Sequence, residues 1–387
     1  MQRSEEFKRG STIILKKNIF FMFITLTLCS TFNLTAEISV DLTMPDFKDD
    51  ISSQLEAMLE ENILAAGDDV ETTINNLLDK PGLTGAFSSA AASGASIPLQ
   101  GNIFSPDGTI SFGGYGSFYS YTLDIEELMD DLEDVDEEDD PEVGANIQLI
   151  QTGVRLPAEF LPQGFQTGLS AAFADLSNSD FFYQNLTIQG SLAYTPFRKI
   201  PLNRSFRWTP LSAQFAATYS GSEIGASLET GTITQEFDYE IDSSGFLPDE
   251  TITVELDPTV DLSLETQVYV LTADLATGFS LHDFFHFYLG GGVNVPWGKT
   301  DIAASTEDEF SISSNIIDSI LEVDEEGNYS TGSIVISGSV EGSSPVQFIP
   351  YAYGGFRLDI SRIYLNIPIQ YTYPDGLASG LFLGVYL

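Results

Sequence analysis

The feature that most constrains the fold is a two-residue alternation of apolar and polar side chains, which recurs from residue 108 to the C-terminus. A clear example is 362–373, whose apolar face consists of Ile363, Leu365, Ile367, Ile369, Tyr371 and Tyr373. Successive side chains of a strand point to opposite sides, so each segment predicts a strand with one apolar and one polar face. These segments reach about ten residues, which is the length of a tilted membrane strand, whereas strands of soluble domains average about 5–6.

This pattern predicts an all-β fold, a transmembrane antiparallel β-barrel over 99–387 with about 12–14 strands. Aromatic side chains recur near the segment ends, as expected of residues that lie at the two membrane interfaces. The predicted tight joints are 158–163, 360–361 and 375–376, and the predicted long acidic loops are 124–143, 240–250 and 299–331. Short turns on the periplasmic side and long loops outside are the asymmetry expected of an outer-membrane barrel.

The first 36 residues have the layout of a signal peptide. Lys16 and Lys17 precede the apolar run 19–28, and small residues lead to a cleavage position after Ala36. The sequence therefore predicts export, with a mature chain from about Glu37 and an outer-membrane location. The alternative is a lipoprotein in which Cys29, the single cysteine, becomes the acylated first residue.

The charge excludes one class of partner. The chain contains 57 Asp+Glu against 15 Lys+Arg, and its formal net charge is −42. Phosphate backbones would be repelled by this surface, so nucleic-acid binding is not expected. Aromatic residues make up 12% of the chain, which is far more than an acidic disordered protein contains.

The N-terminal part of the mature chain, 37–98, predicts helices followed by a hatch-like segment. Apolar residues at three- and four-residue spacing predict two helices within 45–80, separated at Gly67. The stretch 81–98 is instead rich in Gly, Ala and Ser, and needs a wall to lie against. One interpretation is a plug in the barrel lumen that controls passage, and the other is a linker from periplasmic helices to the first strand. The plug residues would be Gly82, Leu83, Gly85, Phe87 and Gly94.

Two groups of side chains are candidates for metal sites. The loop 124–142 contains 13 carboxylates, and carboxylate oxygens suit Ca²⁺ and Mg²⁺. A weak cation-binding loop would use Asp134, Asp136, Glu137, Glu138, Asp139 and Asp140. The bland interpretation is a solvated surface loop. His282 and His286 are the only histidines, and a turn leading into a strand explains them better than a metal site does.

The order of these parts resembles the FadL-like transporters of long-chain fatty acids and aromatic hydrocarbons. The resemblance rests on 80–94 and on the barrel end from 353 to 387, and it is one of architecture rather than of motifs. It implies 14 strands and passive uptake of hydrophobic molecules. The chain ends in Leu387 where the family has an aromatic residue.

The sequence thus predicts a passive channel for small hydrophobic solutes, gated by 81–98, with no catalytic residue, metal or cofactor. The expected partners are outer-membrane lipid, the solute and the barrel-assembly machinery. A structural or adhesive surface barrel with acidic extracellular loops and a filled lumen is the alternative. A soluble β-sandwich would bury the apolar stripe against a second sheet.

Overall fold

The structure is a computed structural model. It describes residues 37–47, 53–78, 81–102, 108–120, 143–158, 162–179, 181–195, 200–202, 205–229, 232–239, 250–282, 284–314, 321–323, 329–340, 342, 345–346, 348–374 and 376–387. Within these ranges, no helix combines the length and the apolar character that crossing a membrane would require.

Three helices and 15 strands make up this part of the chain. The helices are α1 (Ser53–Leu78), α2 (Pro81–Gly94) and α3 (Ile97–Gly101). The first strands are β1 (Glu37–Thr43), β2 (Thr109–Ser120), β3 (Val143–Pro157), β4 (Phe165–Ser177), β5 (Phe181–Tyr194), β6 (Ile200–Pro201), β7 (Phe206–Glu229) and β8 (Ile233–Tyr239). The remaining strands are β9 (Glu250–Leu256), β10 (Thr259–Leu281), β11 (Phe285–Ser313), β12 (Gly332–Val340), β13 (Ile349–Ile360), β14 (Ile363–Thr372) and β15 (Gly376–Tyr386).

Ten of these strands close into a ring. Their order is β2, β3, β4, β5, β7, β10, β11, β13, β14 and β15, which pairs again with β2. Every pairing is antiparallel, and β11 completes the circle by pairing with β10 on one side and β13 on the other. The predicted antiparallel barrel is confirmed. The ring has fewer strands than the 12–14 expected, and fewer than the 14 that the FadL resemblance implies, because β8, β9 and β12 lie outside it.

The two faces of the wall have the polarity predicted from the alternation. Apolar side chains such as Leu289 (58% exposed) and Ile369 (53%) cover the outside, whereas Asn294 and Gln370 on the inside are fully buried. A soluble protein hides its apolar residues and exposes its polar ones. The reverse arrangement around a closed antiparallel sheet is that of an outer-membrane β-barrel. The soluble β-sandwich is therefore wrong, since no second sheet covers the apolar face in the part of the chain described.

Aromatic rings mark two levels on the outside of the wall. The ring centroids of Tyr219 and Tyr269 lie 5.1 Å apart, and those of Tyr269 and Trp297 lie 6.0 Å apart. Further along β10 and β7, Phe279 pairs with Trp208. Ten residues of a strand tilted by about 40° rise about 25 Å, which is the height of the apolar band of such barrels.

The connections divide into two kinds, one at each end of the barrel. The end named here the short-turn end contains the joints 158–164, 195–205, 282–284 and 361–362, together with Leu387. The opposite, long-loop end contains the connections 121–142, 230–249, 314–331 and 341–348, and the tight joints 178–180 and 373–375. The joint at 375–376 was expected beside 360–361 and instead lies at the other end. The predicted loop 299–331 is also partly wrong, because β11 continues to Ser313.

Beyond the aromatic level at the long-loop end, the wall extends into a small α/β unit, named here the surface unit. It consists of β1, α1, β8, β9 and β12, attached to the ends of β7, β10 and β11. Helix α1 packs across this sheet, and a Cβ on Gly67 would lie 2.6 Å from Ile334 Cδ1. That close approach explains why Gly67 lies inside one continuous helix instead of separating two, as the sequence predicted. Strand β1 was also missed, since 37–98 was expected to be helical and hatch-like.

Candidate functional site

The lumen of the barrel contains the segment 81–102, named here the plug, which comprises α2 and α3. Helix α2 packs mainly against β2, β3, β10, β11 and β15, and α3 packs against β14 and β15. Ser88, Ser96 and Gln100 are each fully buried. The plug runs the length of the lumen: Ala86 contacts Gly144 where β3 begins at the long-loop end, and Asn102 contacts Arg155 near the short-turn end.

Small residues allow α2 and α3 to approach the wall closely. A Cβ on Gly94 would lie 2.7 Å from Ser117 Oγ, and a Cβ on Gly101 would lie 2.8 Å from the ring of Phe382. Real Cβ atoms do not approach other atoms this closely, so a larger residue at either position would push the helices off the wall. The richness of 81–98 in Gly, Ala and Ser is therefore explained by the space inside the ring.

Side chains of the wall donate hydrogen bonds to seven backbone carbonyls of the plug. The donor–acceptor pairs are Ser117 Oγ to Ala90 O (2.7 Å), Asn294 Nδ2 to Ala92 O (2.8 Å), Gln370 Nε2 to Ser93 O (3.0 Å), Gln189 Nε2 to Ala95 O (2.6 Å), Asn366 Nδ2 to Gln100 O (2.7 Å) and Gly101 O (2.9 Å), and Arg155 Nη1 to Asn102 O (2.7 Å). These donors come from five strands in different parts of the ring, so the plug is attached around most of its circumference.

Polar side chains of the plug complete the attachment. Gln370 is the centre of this group, because its Oε1 accepts from Ser96 Oγ at 2.7 Å and from Gln100 Nε2. The hydroxyls of Ser93 and Thr372 are 2.6 Å apart. Buried polar groups in a low-dielectric interior are costly when unpaired, so a network paired in this way favours one fixed position of the plug.

The predicted plug residues all lie in α2. Gly82 and Leu83 belong to its first turn, Gly85 and Gly94 are buried, and Phe87 is half-buried. The wall contacts described above are concentrated further along, between Ala90 and Asn102. The predicted cation loop, Asp134 to Asp140, lies outside the described residues. No cluster of three or more metal-ligating side chains occurs among the residues that are described.

The two histidines do not converge on one site. His282 is in the turn at the short-turn end, whereas His286 is buried in the lumen. His286 Nδ1 lies 2.8 Å from Ser280 Oγ, and His286 Nε2 lies 3.1 Å from Asp359 Oδ2. Asp359 also accepts from Arg357 Nε at 2.7 Å. This interior cluster joins β10, β11 and β13 and was not predicted, although the alternation assigns His286 to the polar face.

A family model described as Lsa36-like matches residues 33–385, nearly the whole chain. The chain belongs to the Lsa36-like family. The match includes the surface unit, the plug and all ten strands of the ring, so these parts are shared within one family architecture. No curated protein matches this member of the family.

Solved structures with distant similarity include three outer-membrane barrels. The translocator domain of the autotransporter NalP from Neisseria meningitidis has 8% identity and a TM-score of 0.29, over 79% of this chain and 99% of that one. The toluene transporter TbuX from Ralstonia pickettii has 9% identity and a TM-score of 0.23, over 81% and 97%. The toluene transporter TodX from Pseudomonas putida has 8% identity and a TM-score of 0.21, over 78% and 95%. Likeness at this level supports no conclusion about residue roles or solutes.

Proposed function

We propose that this protein is an outer-membrane barrel with a closed lumen, which anchors the surface unit on the outside of the cell. The observation that carries the proposal is the set of seven plug carbonyls that accept hydrogen bonds from the wall. A gate that opens readily would have to break these bonds together. The role needs no catalytic residue and no cofactor.

The orientation follows from the connections. Outer-membrane barrels have short periplasmic turns and long extracellular loops, so the long-loop end faces outward. Strand β1 and helix α1 are attached to that end. The chain therefore begins its described part at the cell surface, passes through the lumen as the plug, and enters the ring at β2 from the periplasmic side.

Labelling of intact cells tests this proposal. Asp41 is exposed on β1 in the surface unit, and Gln163 is exposed in a joint at the short-turn end. With Cys29 replaced by serine, we expect Asp41→Cys to react with a membrane-impermeant maleimide on intact cells. Gln163→Cys should react only after the outer membrane is permeabilised. Labelling of Gln163→Cys alone on intact cells would reverse the orientation and refute the display role.

Passive uptake of small hydrophobic solutes is the second candidate. It is favoured by two apolar clusters between the plug and the wall. One cluster is Ile97, Tyr115, Ala172, Ala378 and Phe382, and the other is Ala91, Ala92, Ala95, Val268, Val270 and Ile349. Movement of the plug would expose apolar wall surface along this route. Faster entry of a small aromatic hydrocarbon into vesicles that contain the wild-type protein than into empty vesicles would support this candidate over the closed barrel.

A further inference from the structure

One side of the lumen is lined by small or polar side chains. The inward positions of β4 are Gly168, Ser170, Ala172 and Ala174, none of which extends far into the lumen. The main helix contacts of the plug are with other strands. Space therefore remains between the plug and the wall formed by β3, β4 and β5.

Strand β3 lines this space with large polar side chains from one end to the other. Its buried polar residues are Asn146, Gln148, Gln151 and Arg155. A bulge opposite Gly113 and Tyr115 shifts the register, so both Gln148 and Gln151 point inward despite their odd spacing. Nine residues of a strand tilted by about 40° rise about 23 Å, close to the height of the apolar band.

Several polar atoms along β3 have no protein partner. Both amide atoms of Gln151 and the Oε1 of Gln148 are buried without a hydrogen bond among the described residues. An unpaired buried polar group costs about 1–3 kcal/mol, so each such atom in a native protein calls for a water molecule. Near the short-turn end, a cavity of about 10 Å³ is lined by polar groups of Asn102, Arg155, Ser170 and Gln189. A space of that size holds about one water molecule.

We propose that a file of water molecules runs along β3 between the plug and β4–β5, and that the closed barrel conducts water through it. The small side chains of β4 provide the width, and the amides of Gln148 and Gln151 provide the hydrogen bonds. The guanidinium of Arg155 at the short-turn end of the file repels cations, because a fixed positive charge in a narrow polar path is an electrostatic barrier to them. Organic solutes are excluded by the plug.

Osmotic shrinkage of proteoliposomes, followed by stopped-flow light scattering, tests the file. We expect wild-type protein to raise water permeability above that of empty vesicles without any ionic current. Gln151→Leu removes the unpaired amide and Ser170→Leu fills the cavity, so each should abolish the protein-dependent increment. Thr272→Val is the matched control, because Thr272 bonds Asn294 of the wall away from the file, and it should keep the increment.

A cysteine variant covers the case in which a leucine variant fails to fold. In the Cys29→Ser background, Ser170→Cys should conduct water, lose the increment on addition of mercuric chloride, and regain it with a reducing thiol. The parent that keeps Ser170 should be insensitive to mercury. The proposal rests on the closed lumen, and the two fail differently. Ionic currents from wild-type protein would refute closure, whereas silent membranes with no water increment, or an increment that survives Ser170→Leu, would overturn the file.

Discussion

The strongest test of the closed lumen is to remove the wall donors that hold the plug. In the double variant Gln189→Leu, Asn366→Leu, the carbonyls of Ala95, Gln100 and Gly101 lose the donors described above. A buried acceptor left unpaired costs about 1–3 kcal/mol, so three of them cost about 3–9 kcal/mol. Leucine has a volume close to that of the amides it replaces, so steric changes are small.

Water that enters the lumen would restore part of this loss, and the lower limit is therefore the relevant one. A cost of about 3 kcal/mol changes the equilibrium between seated and displaced plug by about 100-fold, since every 1.4 kcal/mol is about tenfold. The Oη of Tyr288 also loses its acceptor, Asn366 Oδ1, at 2.9 Å, which adds to the effect on the wall. We expect the displaced state to become frequent enough to observe in single-channel recordings.

Planar-bilayer recording is the assay. Wild-type protein should give no pore, and the double variant should give discrete openings. The control Asn146→Leu removes an amide whose side-chain hydrogen bonds are to Ser220 and Asn185 of the wall, and it should remain silent. A difference in gel mobility between boiled and unboiled samples establishes that each barrel is folded. Silent recordings from a folded double variant would refute the argument that these hydrogen bonds hold the plug in place.

Two further substitutions test the packing of the plug and the membrane face of the wall. Gly101→Val places atoms against the ring of Phe382, and overpacking of this kind costs about 1–3 kcal/mol; we expect the gel-mobility transition at a lower temperature, and an unchanged transition would contradict the close fit. Leu275 is 50% exposed between the two aromatic levels, so Leu275→Arg should lower the free energy of unfolding in lipid vesicles by about 2–4 kcal/mol, while Leu275→Met should have little effect. Equal stabilities of these two variants would show that this face does not contact acyl chains.

The faces of the strands could be predicted because alternation is a local property of the chain. Each inward or outward direction follows from its position in a strand, and Ile369 and Gln370 lie as expected on opposite faces. The number of strands in the ring could not be predicted in this way, since it depends on which segments pair over long distances. The acidic composition of 299–331 predicts a loop, which is wrong for its first part. In β11, Glu307 and Glu309 occupy the other face from Phe310 and extend beyond the membrane.

The plug was harder to predict because its attachment uses its backbone. The sequence indicates apolar contacts through Leu83 and Phe87, whereas the wall binds carbonyls from Ala90 to Asn102. A carbonyl belongs to every residue and gives no signal in the sequence. The signal lies in the wall instead, where Asn294, Asn366 and Gln370 occupy the polar face of predicted strands. Amides at the inward positions of a barrel indicate a polar partner inside.

The same hydrogen bonds indicate how the molecule assembles. The last four carbonyls of a helix have no partner within it, and helices as short as α2 and α3 are marginal alone in water. Three of the acceptors, Ala92, Ser93 and Gly101, are such terminal carbonyls, so the wall supplies the caps that the plug lacks. The plug is therefore expected to become ordered only when strands on both sides of it have paired. Because the surface unit precedes the plug in the chain and lies at the opposite end from the start of β2, it must reach the long-loop end before the lumen is filled.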